Sequence, residues 1–212
     1  MEDLRGNEGR DSMPWEHITY QEQDFRDEDW SESELTGCTF DRCGFTGGSF
    51  AGSRLSRCVF TGCRFRFIDY SSVTAKNCAF LNCVFDEANL FGAVLSHCKC
   101  TGSSFSGART TGLSLEAGSY QYCDLSRLSL AEAELVGASF AHADLRECSL
   151  RGADLRYCDF TQALMQGCDL TKADLRGATM AGVEVRALKM KETSIDLPIA
   201  VAIAEGMGAK LF

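Results

Sequence analysis

The chain has 212 residues, of which 45% are hydrophobic and 24% charged, with two prolines, twenty glycines and twelve cysteines. Its formal charge of −9 resides in the first 36 residues, which hold twelve acids and three bases, while residues 37–212 hold eighteen of each. A basic nucleic-acid-binding footprint is thereby excluded. With no apolar run long enough to span a bilayer and no signal-peptide core, a cytoplasmic location is expected.

The first element is a polar segment, residues 1–15, read as flexible. After it comes the acid-rich stretch QEQDFRDEDWSESEL at residues 21–35. Such charge suits a solvated edge that discourages end-to-end sticking.

From Tyr20 to Ile195 every fifth residue is a large apolar or aromatic one at 33 of 36 positions, the exceptions being Ala75, Cys100 and Thr110. Residues 131–160 show the frame clearly: AEAEL, VGASF, AHADL, RECSL, RGADL, RYCDF. Two residues before each large one stands a small residue, so two inward positions flank one outward position, the period of a short extended segment. Gly recurs two places after the large residue, as at Gly37, Gly52, Gly102, Gly152 and Gly177, where a turn with positive φ is expected. Each pentad is therefore one short side and one corner of a repeat array.

A second period sets the number of sides. Phe40, Phe60, Phe80, Phe140 and Phe160 fall in one twenty-residue column, and Phe25, Phe45, Phe65, Phe85 and Phe105 in the next. Four pentads make one coil, and residues 16–195 make about nine coils, a rod roughly 43 Å long at roughly 4.8 Å per coil. The fold expected is an all-β solenoid, a quadrilateral β-helix closed by a short C-terminal α-helix. Ala75 and Thr110 under-fill their slots, so 71–77 and 106–118 are the stretches open to looping out.

Eleven cysteines occupy the small inward slot, where they alternate with Ala, Ser and Gly. They read as small buried hydrophobes rather than as zinc ligands or disulfides. No metal site and no cofactor is expected. No HExxH, GxSxG or phosphate-cradling motif is present, so no catalytic residue is assigned and an enzyme is not expected.

The last element, residues 196–212, begins DLPIAVAIAEG. Asp196 reads as an N-cap, Pro198 lies in the first turn and Gly206 is the stop. A helix apolar on nearly all sides must be buried, either as a cap on the last coil or in a two-fold dimer. The residues assigned to the dimer contact are Ile195, Leu197, Ile199, Val201, Ile203, Met207, Leu211 and Phe212.

On the outer surface, acids recur just before the large residue at Asp124, Glu134, Asp144, Asp154, Asp159, Asp169 and Asp174, and bases just after it. The acids are the candidate partner-binding surface; a solvated edge whose Asp side chains bond turn amides is the alternative.

Ala143-Asp144-Leu145, Ala153-Asp154-Leu155 and Ala173-Asp174-Leu175 resemble the pentapeptide repeat family, whose members form right-handed quadrilateral β-helices. DFRDEDWS at residues 24–31 and the DxxxAVAxAxG tail from Asp196 to Gly206 are similar to the topoisomerase-protecting branch of that family, the mycobacterial and Qnr fluoroquinolone-resistance proteins. This resemblance implies a homodimeric DNA mimic that occupies the DNA-gate saddle of bacterial DNA gyrase or topoisomerase IV. It implies no direct nucleic-acid binding and no membrane. A scaffold docking an unrelated protein partner is the alternative.

Overall fold

A computed structural model describes residues 15–210. Apart from Trp15, the polar segment 1–15 lies outside the described residues, as do Leu211 and Phe212. The chain opens with β1 (Trp15–Glu16), β2 (Thr19–Gln21), β3 (Glu34–Thr36), β4 (Thr39–Asp41) and β5 (Arg54–Ser56). It continues with β6 (Val59–Thr61), β7 (Thr74–Lys76), β8 (Ala79–Leu81), β9 (Val94–Ser96) and β10 (Ser114–Glu116). All pairs are parallel, and the register is twenty residues throughout, as in Trp15↔Leu35 and Tyr20↔Phe40. One side of the rod is the six-stranded sheet β1-β3-β5-β7-β9-β10; the neighbouring side is the four-stranded sheet β2-β4-β6-β8. The other two sides are ladders of single bridges, such as Asp24↔Gly44 and Asp29↔Ser49.

Strands proper thus cover about five turns, fewer than the nine coils the repeat suggests. Beyond Glu116 the winding goes on as single bridges, ending in Asp174↔Ser194. The reason is corner chemistry. Along the two strand-bearing sides the corners are open, and the residue after the large one stays in the ladder. Past Glu116 the corners close with a turn bond, as from Ala138 N–H to Leu135 O (3.0 Å) and from Ala143 N–H to Phe140 O (3.0 Å).

The cysteines follow this division. At open corners the thiol donates to the carbonyl two residues back, as from Cys58 to Ser56 O (3.5 Å) and from Cys78 to Lys76 O (3.4 Å). Thiols at both kinds of corner also reach the preceding coil, as from Cys58 to Leu35 O (3.4 Å) at an open corner and from Cys148 to Leu125 O (2.9 Å) and Cys158 to Leu135 O (2.9 Å) at closed ones. All twelve are buried and free. Burial pushes the thiols of Cys123, Cys148 and Cys158 up to about 12. Thiol titration should therefore be silent on the folded protein and find twelve groups after unfolding. Cys58→Ala should cost at most about 1 kcal/mol, since only weak sulfur bonds are lost. Stoichiometric bound zinc in the purified protein would overturn this reading.

The core is two kinds of stack. In the N-terminal half rings lie face to face along the axis, Phe40 on Phe60 at 4.8 Å and Phe65 on Phe85 at 4.6 Å. Neighbouring columns meet edge to face, as Phe60 and Phe65 do at 69°, the arrangement ring quadrupoles favour. In the C-terminal half Leu and Ala replace most rings. Ala75 does not loop out: it lies in β7 opposite Leu55 and Leu95. Thr110 is buried as well. Cys100 stands in a Phe column, and the buried hydroxyls of Tyr70 and Tyr120 have no hydrogen-bond partner among the described residues.

Every corner from His17 to Glu192 has positive φ except at Ala187, where a 3-10 turn, Val185–Ala187, replaces it. The corner glycines all have positive φ, as expected, and most corners take the same conformation with other residues. A Cβ on Gly152 would sit 2.5 Å from Glu132 Oε1, so a side chain there would make the Glu132 carboxylate shift.

Candidate partner-binding surface and C-terminal face

The acidic candidates arise at one position of the pentad, the outward residue between the two inward ones. The winding then distributes them over all four sides. Asp124 and Asp144 are bridged on one side, and Glu134, Asp154 and Asp174 form a ladder on another. Asp159 bridges Ser139 on a third side and Asp169 bridges Ser149 on the fourth. The column Glu134–Asp154–Asp174 is therefore real, but the seven acids do not make one patch.

Most of these carboxylates are also engaged. The Arg156 side chain grips Asp154 through Nε at 2.8 Å and Nη2 at 2.6 Å, while the Arg156 amide donates to Asp154 Oδ1 at 3.2 Å. Asp144 with Arg146 and Asp174 with Arg176 repeat this geometry. Asp124 and Asp159 accept turn amides from Ser126 and Thr161, and Asp169 accepts from Thr171. Glu134 is exposed. The Asp side chains thus bond turn amides, as the solvated-edge alternative expects.

The guanidinium hydrogen bonds hold the carboxyls of Asp144, Asp154 and Asp174 below the usual carboxylate range. A carboxyl with a lowered folded pKa stabilises the fold above its unfolded pKa and loses that contribution as pH falls through the folded value. Melting should be flat from neutral pH down to about 5 and then fall below about 4, the ordinary carboxylate value. The triple variant D144N/D154N/D174N should weaken that acid dependence. An identical acid profile in the variant would show that the pairs contribute nothing, as many surface pairs do.

The C-terminal helix α1 (Leu197–Gly206) starts where Asp196 Oδ1 accepts the Ile199 amide at 3.1 Å. Asp196 Oδ2 also accepts the Gly177 amide at 2.6 Å, tying the cap to the last full coil. Ile199 is buried, Ile203 packs partly against the core, and Val201 is half-buried. Leu197 is 76% exposed, Met207 64% and Ile195 39%. In the single chain one side of the helix covers the last coil, and Leu197 remains exposed.

Exposed aromatics at corners escaped the acid-centred reading. Tyr122 stacks on His142 at 4.8 Å, and Tyr157 is 69% exposed. Their signal was an aromatic at the positive-φ position, which has no room inward. Among the described residues no cluster of three metal-ligating side chains occurs, and no helix is long and apolar enough to cross a membrane.

The model of the family "Pentapeptide repeats" matches at residues 71–107, 88–116, 123–162 and 153–186, together more than half of the chain. No curated protein matches by sequence. Among solved structures, a trypsin-treated variant of QnrB1, described as a plasmid-mediated fluoroquinolone resistance protein, superposes with a TM-score of 0.84 at 20% identity. That match covers 94% of this chain and 100% of the QnrB1 chain. A second trypsin-treated variant of QnrB1 gives 0.83 at 19% identity, covering 93% and 99% of the two chains. Full-length QnrB1 gives 0.59 at 18% identity, covering 93% of this chain and 100% of its own. With a twenty-residue register, four corners per coil and a family match over most of the repeats, the chain belongs to the pentapeptide repeat family.

Proposed function

We propose that this protein is a DNA mimic that binds bacterial DNA gyrase or topoisomerase IV in the bacterial cytoplasm and protects it from topoisomerase poisons. It acts by occupying the DNA-gate saddle and catalyses nothing itself. The observation that carries the reading is the likeness of the whole rod to QnrB1 over 94% of this chain. The net charge of −9 supports it, because a saddle built for DNA is basic. The open apolar residues Ile195, Leu197 and Met207 support a homodimer through the C-terminal end. Two rods end to end would span roughly 85 Å at roughly 4.8 Å per coil.

The contact surface proposed is the outward acids Asp124, Glu134, Asp144, Asp154, Asp159, Asp169 and Asp174. Where Asp144, Asp154 and Asp174 are clasped by arginines, the saddle meets ion pairs rather than bare charge. That pairing, with the even balance of residues 37–212, favours a second reading, a repeat scaffold that docks an unrelated protein. The test is a gyrase supercoiling assay with and without a fluoroquinolone. On the first reading the protein inhibits supercoiling at high concentration and lowers drug-induced cleavage; on the second it changes neither.

A further inference from the structure

The coil ladder opens on two adjacent sides between residues 107–117 and residues 126–136. In the preceding step Glu87, Leu90 and Gly92 donate to Ser106 O, Arg109 O and Thr111 O at 2.9, 2.8 and 3.0 Å. In the following step Arg127, Leu130 and Glu132 donate to Arg146 O, Ser149 O and Arg151 O at 2.9, 2.8 and 2.8 Å. Among the described residues, the corresponding amides of Gly107, Thr110 and Gly112 have no backbone acceptor in the next coil, nor do those of Leu115 and Ala117. Bridges join Asn89 to Arg109 and Ser129 to Ser149, but none among the described residues joins Arg109 to Ser129. The other two sides stay closed, through Phe105 N–H to Asp124 O at 2.9 Å and Tyr120 N–H to Ser139 O at 2.7 Å.

The cause lies in the slots. Thr110 takes a large-residue position with a short polar side chain, and its hydroxyl reaches across to donate to Ser129 O at 2.7 Å. Ala108 beside it is only partly buried. The result is an open cleft of about 910 Å³ lined by Asn89, Phe91, Arg109, Thr110 and Arg127 among others.

We propose that this cleft binds an extended acidic peptide segment laid along its two lips. One lip offers N–H donors, from Gly107, Thr110 and Gly112. The other offers carbonyls that accept no backbone bond from the described residues, those of Ser126, Ala131 and Glu134. A simple anion suits the first lip and meets carbonyls on the second, and a cation has the reverse difficulty. A peptide strand carries both groups in alternation and satisfies both lips. Among the described residues Arg109 forms no ion pair and Arg127 shares one exposed pair with Glu147, so acidic side chains are favoured. Phe91, 56% exposed at the rim, receives an apolar side chain. The Thr110 hydroxyl is the latch that gives way. This site is independent of the topoisomerase reading.

Amide hydrogen exchange on the full-length protein tests it, with a mixed pool of fluorescein-labelled peptides alternating Asp or Glu with Val, Thr or Phe as the probe. In the free protein, Gly107, Gly112 and Ala117 should exchange much faster than Gly152 and Glu132, and the pool should slow them. Arg109→Glu, at an unpaired side chain, should leave melting unchanged and weaken binding about tenfold, the loss of one charge-assisted contact. Thr110→Val keeps the volume, removes the latch and should bind more tightly. Slow exchange at Gly107 and Gly112 in the free protein would overturn the proposal. So would a pool that protects none of these amides, or equal binding by the Arg109→Glu variant.

Discussion

Phe65→Ala is expected to destabilise the rod by about 3–5 kcal/mol, the range for emptying a buried aromatic site. Phe65 is fully buried and stacks on Phe45 at 5.0 Å and on Phe85 at 4.6 Å. It also meets Phe60 edge to face at 5.4 Å and Phe50 and Tyr70 at 6.4 and 6.1 Å. The hole cannot collapse, because the coils above and below are held at strand spacing by backbone bonds. A repeat rod derives its stability from neighbouring interfaces, so one hole weakens two of them. Urea unfolding should show a lower midpoint and a transition that broadens as the two halves uncouple. A shift worth less than about 1 kcal/mol would mean that the stack is not the source of stability.

Truncation after Thr193 is expected to have a comparable effect on stability and a larger one on assembly. It removes Asp196 with its bonds to Ile199 and Gly177, uncovers the last coil, and deletes α1. Burying one Ile such as Ile199 is worth roughly 1.5–3 kcal/mol. The shortened chain should be monomeric or aggregate. Two point variants separate the cap from the proposed dimer. Ile199→Asp should damage the cap, whereas Leu197→Glu, 76% exposed in the single chain, should leave the melting of the monomer unchanged and abolish the dimer. A full-length protein that sediments as a monomer at micromolar concentration would remove the dimer and leave the cap.

Much of this molecule is written in two periods. The five-residue period places the inward slots and the twenty-residue period places the columns, because each stacked position repeats the same environment. The start of the C-terminal helix was equally legible, since Asp196 and Pro198 act locally, whereas the glycine with positive φ past its end is Gly208 rather than Gly206. The corner type was not legible. Whether a corner closes with a turn bond depends on the coils on both sides. Positive φ at residues such as Phe67 and Tyr157 was hidden because glycine is the usual marker, yet a corner whose amide is taken by the next coil sustains other residues. The candidate acids were found by position. Their spread over four sides follows from the winding, and the depth of the arginine clasps follows from rotamers that spacing alone does not set. Thr110 was marked as irregular, but the direction of its hydroxyl, and so the cleft, needed three dimensions.

If this rod stands in for DNA, a competition experiment shows it most directly. Fluorescent duplex bound to the isolated DNA gate of gyrase is titrated with the protein at low salt and at about 150 mM, close to physiological ionic strength. The protein should displace the duplex, and raising the salt should weaken its binding less steeply than that of DNA, whose phosphates supply one charge per roughly 1.7 Å. The variant E134Q/D154N/D174N keeps acceptors for the turn amides, removes the charged column, and should compete at least about tenfold less well. A rod that binds the gate without displacing the duplex, or a variant that competes as well as the native chain, would contradict DNA mimicry through this column.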